Sequence, residues 1–224
     1  MHDYISFEQI AFGSDNFADN PEPRCPCVLL LDTSGSMEGA PIWQLNQGIQ
    51  TFKEELENDP LAAKRVEVAV VTFGPVQVAS DFVTVSNFFP RQLHTTGDTP
   101  MGEAITLAID MVKRRKQTYK DNGVAYYKPW IVLITDGAPT DYYDKAAALV
   151  REGEAGKSFA FFAIGVENAN MNILSEISVR TPQKLRGLMF REFFLWLSGS
   201  MKQVSGKSPG ECNTLLPPTG WTAL

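Results

Sequence analysis

Short, wholly apolar runs alternate along the chain with longer segments in which apolar residues recur every three or four positions. Cys27-Val28-Leu29-Leu30-Leu31, Val66 to Phe73, Trp130 to Thr135 and Phe159 to Val166 are runs of the first kind. A strand that is apolar on both faces belongs inside a parallel sheet covered on both sides. Ile42, Leu45, Ile49, Phe52 and Leu56 keep the helical rhythm over a segment that Pro41 opens and that ends near Asn58. Ile105, Ala108, Ile109 and Val112 keep it between Met101 and about Tyr119, with Pro100 suited to a first helical position. Further helices are expected from about Asp141 to Glu154, over 171–178 and over 190–203, with a last short strand from Gln183 to Arg186. Gly74-Pro75 turns the second strand into Val76-Gln77-Val78, an expected antiparallel edge strand, and residues 86–98 read as a loop. Strands alternating with helices of these lengths predict an α/β fold: a doubly wound, mostly parallel central sheet flanked by helices on both faces, with right-handed crossovers and one antiparallel edge strand.

The predicted domain spans residues 25–204. Residues 1–24 form a polar, turn-rich N-terminal extension in which Ile5, Phe7, Ile10 and Phe12 are spaced to pack as a strap or an edge strand. Residues 205–224 form a C-terminal tail expected to lie on the domain through Leu215, Leu216 and Trp221. A chain of 224 residues buries enough surface to need neither disulfides nor a structural metal. Its three cysteines, an odd number, make no disulfide framework. Cys25-Pro26-Cys27 and Cys212 supply three zinc ligands at most, and Cys27 opens a buried strand, so packing is the preferred reading.

Charge narrows the choice of partner. A formal charge of −6 without a concentrated basic face argues against nucleic acid. The single basic run, Lys113-Arg114-Arg115-Lys116, reads as a solvated helix end that complements the dipole. Met1-His2-Asp3-Tyr4 starts no signal-peptide pattern, and no apolar run reaches the ~20 residues of a membrane span. The expectation is a cytoplasmic protein with no membrane partner.

Candidate chemistry collects in the loops that should follow the strands. In a doubly wound sheet, ligands sit beyond the carboxyl ends of the strands, where the winding reverses. Asp32-Thr33-Ser34-Gly35-Ser36 follows the first strand, Thr135-Asp136-Gly137 follows the strand beginning at Trp130, and Gly97-Asp98-Thr99-Pro100 enters a helix at the same end. Asp32 and Asp136 offer two charges; Ser34, Ser36 and Thr99 offer three neutral hydroxyls. This all-oxygen set suits a small hard cation, Mg²⁺ or Mn²⁺ with Ca²⁺ less favoured, and leaves the ion electrophilic enough to take one more carboxylate from a partner.

Asp32-x-Ser34-x-Ser36, Thr99 in Thr-Pro-Met-Gly-Glu-Ala and Asp136 in Ile-Thr-Asp-Gly resemble the metal-ion-dependent adhesion site of von Willebrand factor type A (vWA) domains. All five motif positions are present in the family's order, and the likeness covers roughly residues 25 to 200. Leu-Leu-Leu-Asp-Thr-Ser-Gly-Ser-Met, Pro41-Ile42 and the ending Pro217-Pro218…Gly-Trp221 are similar to the bacterial TerY-like, tellurium-resistance-associated subgroup. The resemblance implies a vWA, Rossmann-like fold and one Mg²⁺ or Mn²⁺ held by Asp32, Ser34, Ser36, Thr99 and Asp136, with Asp136 often acting through a water. It also implies an interaction module, not an enzyme, in a stress-response assembly whose partners include a protein kinase and a PP2C-type phosphatase.

Other readings stay open on the residues alone. Thr99 before Pro100 is also a helix N-cap signal, and Asp136-Gly137 by itself is a turn. A metal-dependent phosphate-ester hydrolase is the alternative class, although no general base is evident; a structural subunit with a vestigial site is a third. Ser34 stands where a haloacid-dehalogenase-like phosphatase wants Asp, and it interrupts the Asp-Thr-Gly of an aspartic protease. Gly156-Lys157-Ser158 precedes a strand where a P-loop must follow one. His2 and His94 are too dispersed for a triad, though His94 is placed to line a partner groove. Phe88, Phe89 and Met37 are candidates for an apolar rim around the ion.

Overall fold

The apolar run at 27–31 becomes the centre of the sheet. In the computed structural model, which describes residues 17, 19–211 and 217–222, β1 (Cys25–Asp32) pairs in parallel with β2 (Val66–Phe73) on one side and β4 (Trp130–Thr135) on the other. All eight β1 residues are buried. Cys25, Cys27, Leu29 and Leu31 face a layer built by α1 (Ala40–Glu57) and α6 (Phe190–Ser205), while Val28 and Leu30 face α3 (Met101–Asp121) and α4 (Asp144–Ala155). The two-residue period of a strand thus feeds two separate cores. Cys25 and Cys27 are free and wholly buried. Burial, then Glu67, pushes the Cys25 thiol up to about 12, and burial likewise raises Cys27. Protonated thiols packed in a strand core behave as small apolar groups. Cys212 lies outside the described residues, as do His2, Ile5, Phe7, Ile10, Phe12, Leu215 and Leu216.

Six strands run in the order β3-β2-β1-β4-β5-β6, with β5 (Ala160–Gly165) and β6 (Gln183–Lys184) parallel to β4 and α5 (Met171–Ile177) between them. The edge strand β3 (Gln77–Thr84) is antiparallel to β2. The architecture is therefore the predicted doubly wound sheet, and the winding reverses between β1 and β4, so the carboxyl ends of those two strands open the crevice.

Several local expectations change. The edge strand extends to Thr84 instead of stopping at Val78; it is largely solvent-facing and therefore lacks the apolar run that betrays a buried strand. An extra helix, α2 (Pro60–Arg65), follows α1, started by Pro60 and by the Asp59 carboxylate, which accepts from the Leu61 and Ala62 amides at 3.0 and 2.9 Å. The basic run is not simply a solvated helix end: Arg115 turns inward and grips Glu67 with two bonds of 2.8 Å, and Lys116 donates to the Ser158 carbonyl at 3.1 Å. In the tail, Trp221 is 1% exposed, its ring 5.0 Å edge-on to Phe193 and 5.2 Å from Trp196. Its carbonyl accepts from the Arg186 amide at 2.7 Å. Among the described residues no helix is long and apolar enough to cross a membrane.

Candidate metal centre

Strand β1 delivers Asp32 to the crevice at its last position, fully buried. Each Asp32 oxygen has a donor: Oδ1 accepts from the Ser34 amide at 2.8 Å and Oδ2 from the Thr135 hydroxyl at 2.5 Å. The first bond is the short Asp-to-backbone turn that lets the chain reverse after a strand; the second ties the end of β1 to the end of β4. Beyond Ser34, residues Gly35–Met37 make one turn of 3-10 helix. Ser34 Oγ and Ser36 Oγ share a hydrogen bond of 3.0 Å, and Ser36 Oγ donates to Asp136 Oδ1 at 2.7 Å. Two loops about a hundred residues apart in sequence thus meet through their side-chain oxygens.

Thr99 joins them. It is buried, and its Oγ1 lies 3.4 Å from the point a Cβ on Gly137 would occupy, with Ser36 Oγ 3.8 Å from the same point. The helix-cap reading of Thr99 does not hold, because Pro100 stands at the cap of α3 and no side chain at that position caps the helix. Instead the first free amides of α3, Gly102 and Glu103, donate to the Asp141 carboxylate at 3.0 and 2.8 Å, an acid well placed at a helix N-terminus. The Thr99 backbone is held by Thr140: its amide donates to Thr140 Oγ1 at 3.1 Å and its carbonyl accepts from the Thr140 amide at 2.9 Å. All five predicted site residues therefore converge at the switch point.

The structure adds supports that the sequence did not reveal. Asp141 and Thr140 act across some forty positions of sequence, beyond any local pattern. Gly74 lies under the first loop. Its φ is +129°, and a Cβ there would stand 2.7 Å from both Ser34 N and Thr96 O and 2.9 Å from Thr33 C. Those are backbone atoms tied by Thr33 N to Phe73 O (2.9 Å) and Thr96 N to Thr33 O (2.8 Å), so they have little room to give. Gly74→Ala should cost about 1–3 kcal/mol through backbone strain and displace Ser34. Urea denaturation together with amide chemical shifts of Ser34 and Thr96 would measure this; unchanged stability and unchanged shifts would contradict it.

The expected apolar rim is not built as anticipated. Met37 and Phe88 are core residues, 0% and 1% exposed. Phe89 is 75% exposed but lies beside Lys53, whose ammonium is 5.7 Å from its ring. Lys53 is 13 positions beyond Ala40, where α1 starts, about 20 Å along the helix. The aromatics that do stand exposed by the crevice are Trp43 in the first turn of α1, 58%, and Tyr142 in the loop after β4, 95%. Exposed His94 lies in the wall of a groove beside α1.

The donor set fits a small divalent cation. Every group is oxygen, two of them carboxylates. Adjacent oxygens around an octahedral ion at 2.0–2.1 Å are ~2.9 Å apart, and the Ser34–Ser36 and Ser36–Asp136 separations are 3.0 and 2.7 Å. Burial pushes the Asp32 carboxyl above its usual range, the Ser34 and Thr135 hydrogen bonds pull it back, and Asp136 pushes it up again. An ionised Asp32 is thus held at a cost that a nearby cation relieves. Among the described residues no three His, Cys, Asp or Glu side chains gather into a cation site, so the rest of any shell here comes from neutral oxygens, for which the three hydroxyls are at hand.

Comparison with known proteins agrees with the fold. The von Willebrand factor type A domain family model matches residues 27–191. Inter-alpha-trypsin inhibitor heavy chain H4 of Sus scrofa is 25% identical over 122 residues, 50% of this chain and 12% of that protein, so the chain spans only a small part of that relative. The pilus adhesin SpaC of Lactobacillus rhamnosus GG superposes over 82% of this chain and 31% of its own, with a TM-score of 0.64 at 13% identity. The ArnB paralog VWA2 of Sulfolobus acidocaldarius does so over 80% of this chain and 45% of its own, with 0.54 at 14%. Proximal thread matrix protein 1 of the mussel byssus covers 81% of this chain and 49% of its own, with 0.55 at 15%. At such identities the superpositions speak for the fold alone. The family match extends over most of the chain, from the middle of β1 into the start of α6, and takes in all five converging residues: this chain belongs to the von Willebrand factor type A domain family, a family of protein-interaction modules.

Proposed function

We propose that Asp32, Ser34, Ser36, Thr99 and Asp136 hold one Mg²⁺ or Mn²⁺ ion and that the domain uses it to dock an acidic residue of a protein partner, without turnover. The observation that carries this reading is the continuous line of oxygens from Ser34 Oγ through Ser36 Oγ to Asp136 Oδ1 beside the doubly bonded Asp32 carboxylate. When bound, such an ion supplies a Lewis-acid position open to one outside oxygen. The chain's part is to orient that position: Thr135 fixes one Asp32 oxygen, the Ser34 amide fixes the other, and Thr140 fixes Thr99. The two carboxylates already accept from hydroxyls of the cluster, Asp136 from Ser36 and Asp32 from Thr135, so in this reading they serve as ligand and support, which favours docking over hydrolysis.

The setting is inferred from the wording of the first loop and the Pro41-Ile42 that follows it. These support the TerY-like subgroup, a bacterial cytoplasmic role in tellurium resistance or stress response, and a protein kinase and a PP2C-type phosphatase as partners. Calorimetric titration with Mg²⁺ and Mn²⁺ tests the site. Asp32→Asn preserves the shape and still accepts from the Ser34 amide, but it removes the charge; affinity should fall at least tenfold, about 1.4 kcal/mol, with an unaltered far-UV spectrum. Equal affinities for wild type and variant would sink the assignment.

A further inference from the structure

The groove beside α1 starts at the ion-site loops. Its volume is about 590 Å³, and its walls are the first three turns of α1 and residues 90–95. The second wall has no regular secondary structure, yet it is pinned. Asn46 donates to the Leu93 carbonyl at 3.0 Å and accepts from the Leu93 amide at 2.8 Å, as a neighbouring strand would, and Gln50 Nε2 reaches the Pro90 carbonyl at 3.4 Å. One end is continuous with the candidate metal centre, since Thr96 bonds Thr33 at 2.8 Å and Gly97 accepts from Gly35 at 3.1 Å. Trp43, 58% exposed, stands at that end, one turn beyond Gly39. Arg91 stands at the other, exposed and with no ion-pair partner among the described residues.

Charge selects the occupant. In a chain of net charge −6, none of the thirteen residues lining this groove is acidic, and Arg91, without an ion-pair partner among the described residues, puts a cation on its wall. Tryptophan and arginine are also among the residue types enriched where a protein interface concentrates its binding energy. The span gives a length. Gly39 and Gln50 mark the two ends along α1, eleven positions apart, ~16 Å at helical rise. An extended peptide at ~3.3 Å per residue covers that distance in about five residues.

We infer that the partner binds as an extended segment with two acidic residues about five positions apart, the first at the candidate metal centre and the second on Arg91, with an apolar side chain between them against Trp43. This rests on the docking reading above and adds to it the path and the sequence pattern of the partner.

The probe is a displayed library of random dodecapeptides, selected on the full chain in Mg²⁺, on Arg91→Glu and Trp43→Ala, and on wild type in EDTA. Wild type should enrich peptides with two acids four to six residues apart around an aliphatic or aromatic residue. Arg91→Glu should lose the second acid and keep the first, and Trp43→Ala should lose the central apolar preference. Synthetic peptides of the enriched sequence should bind Arg91→Glu at least tenfold more weakly than wild type, with the residual binding still abolished by EDTA. A library that enriches nothing in Mg²⁺, or the same sequences on wild type and both variants, overturns the groove assignment. Single-acid peptides that are EDTA-sensitive and indifferent to both variants overturn the groove but leave the metal docking standing. Two-acid peptides that bind equally in EDTA overturn the docking reading instead.

Discussion

Glu67→Ala should destabilise the domain by about 3–5 kcal/mol while leaving its affinity for divalent ions unchanged. Glu67 lies on β2 opposite Pro26 and is 1% exposed. Its carboxylate accepts from Arg24 Nε at 3.1 Å, from Arg115 Nε and Nη2 at 2.8 Å each, and from the Tyr119 hydroxyl at 2.5 Å. Arg24 is itself 2% exposed and donates further to the Glu22 and Asn20 carbonyls. Burial works against the Arg115 charge, but Glu67 more than offsets it and the guanidinium is held well above its ordinary pKa. Removing the carboxylate leaves two guanidinium groups without their anion, Arg24 buried and Arg115 partly buried, and breaking a buried pair in this way costs several kcal/mol. Replacing the whole cluster by apolar residues, Arg24→Met with Glu67→Leu, Arg115→Met and Tyr119→Phe, should recover much of the loss, because the penalty lies in the unpaired charge. Urea denaturation measures all three proteins; a Glu67→Ala loss within ~0.5 kcal/mol of zero, the range of an ordinary surface change, would contradict the argument. Ion titration supplies the contrast. Six positions of β2 separate Glu67 from Phe73, the register partner of Asp32, ~20 Å at strand rise.

This network also shows where sequence reading stops. The strands at 27–31, 66–73 and 130–135 are legible because both faces are buried, so the apolar run needs no partner to be recognised. The five site residues are legible because each stands at the mouth of such a strand or at a helix entrance. Arg115 is not. Its neighbours Lys113 and Arg114 do face solvent, and only the helical turn that aims Arg115 at Glu67, 48 residues away, separates it from them. Gly74 is legible as a turn residue but not as the floor beneath Ser34, since that depends on the β2–β3 turn passing under the β1 loop. Position along the chain alone puts Met37 and Phe88 near the ion, yet both belong to the core that α1 and α6 cover. Depth is set by which way the backbone turns after a strand, and neither a hydrophobic letter nor its distance from a motif encodes that turn.

A single acidic residue of the partner should account for most of its dependence on the ion. Asp32 and Asp136 match the charge of a divalent cation, and three hydroxyls add none, so the chain's own donors leave room for one more anionic oxygen. A partner carboxylate entering there exchanges water for a charged contact, and Trp43 and Tyr142, 58% and 95% exposed, stand within seven positions of Ser36 and Asp136 in the sequence. Large aromatics at the margin of such a contact exclude solvent and strengthen it. Truncating one member of a buried charged contact costs about 2–5 kcal/mol. With the partner in hand, its interfacial Asp and Glu residues are replaced by Ala one at a time and affinity is measured in Mg²⁺ and in EDTA. The expected pattern is non-additive. One replacement weakens binding by about the amount that EDTA does, and EDTA then adds little more, because both remove the same contact. The remaining acids should behave as rim residues, altering the on-rate and salt dependence more than the affinity. If every replacement and EDTA combine additively, the carboxylate and the ion act at separate places, and the Asp32–Asp136 centre is not where the partner docks.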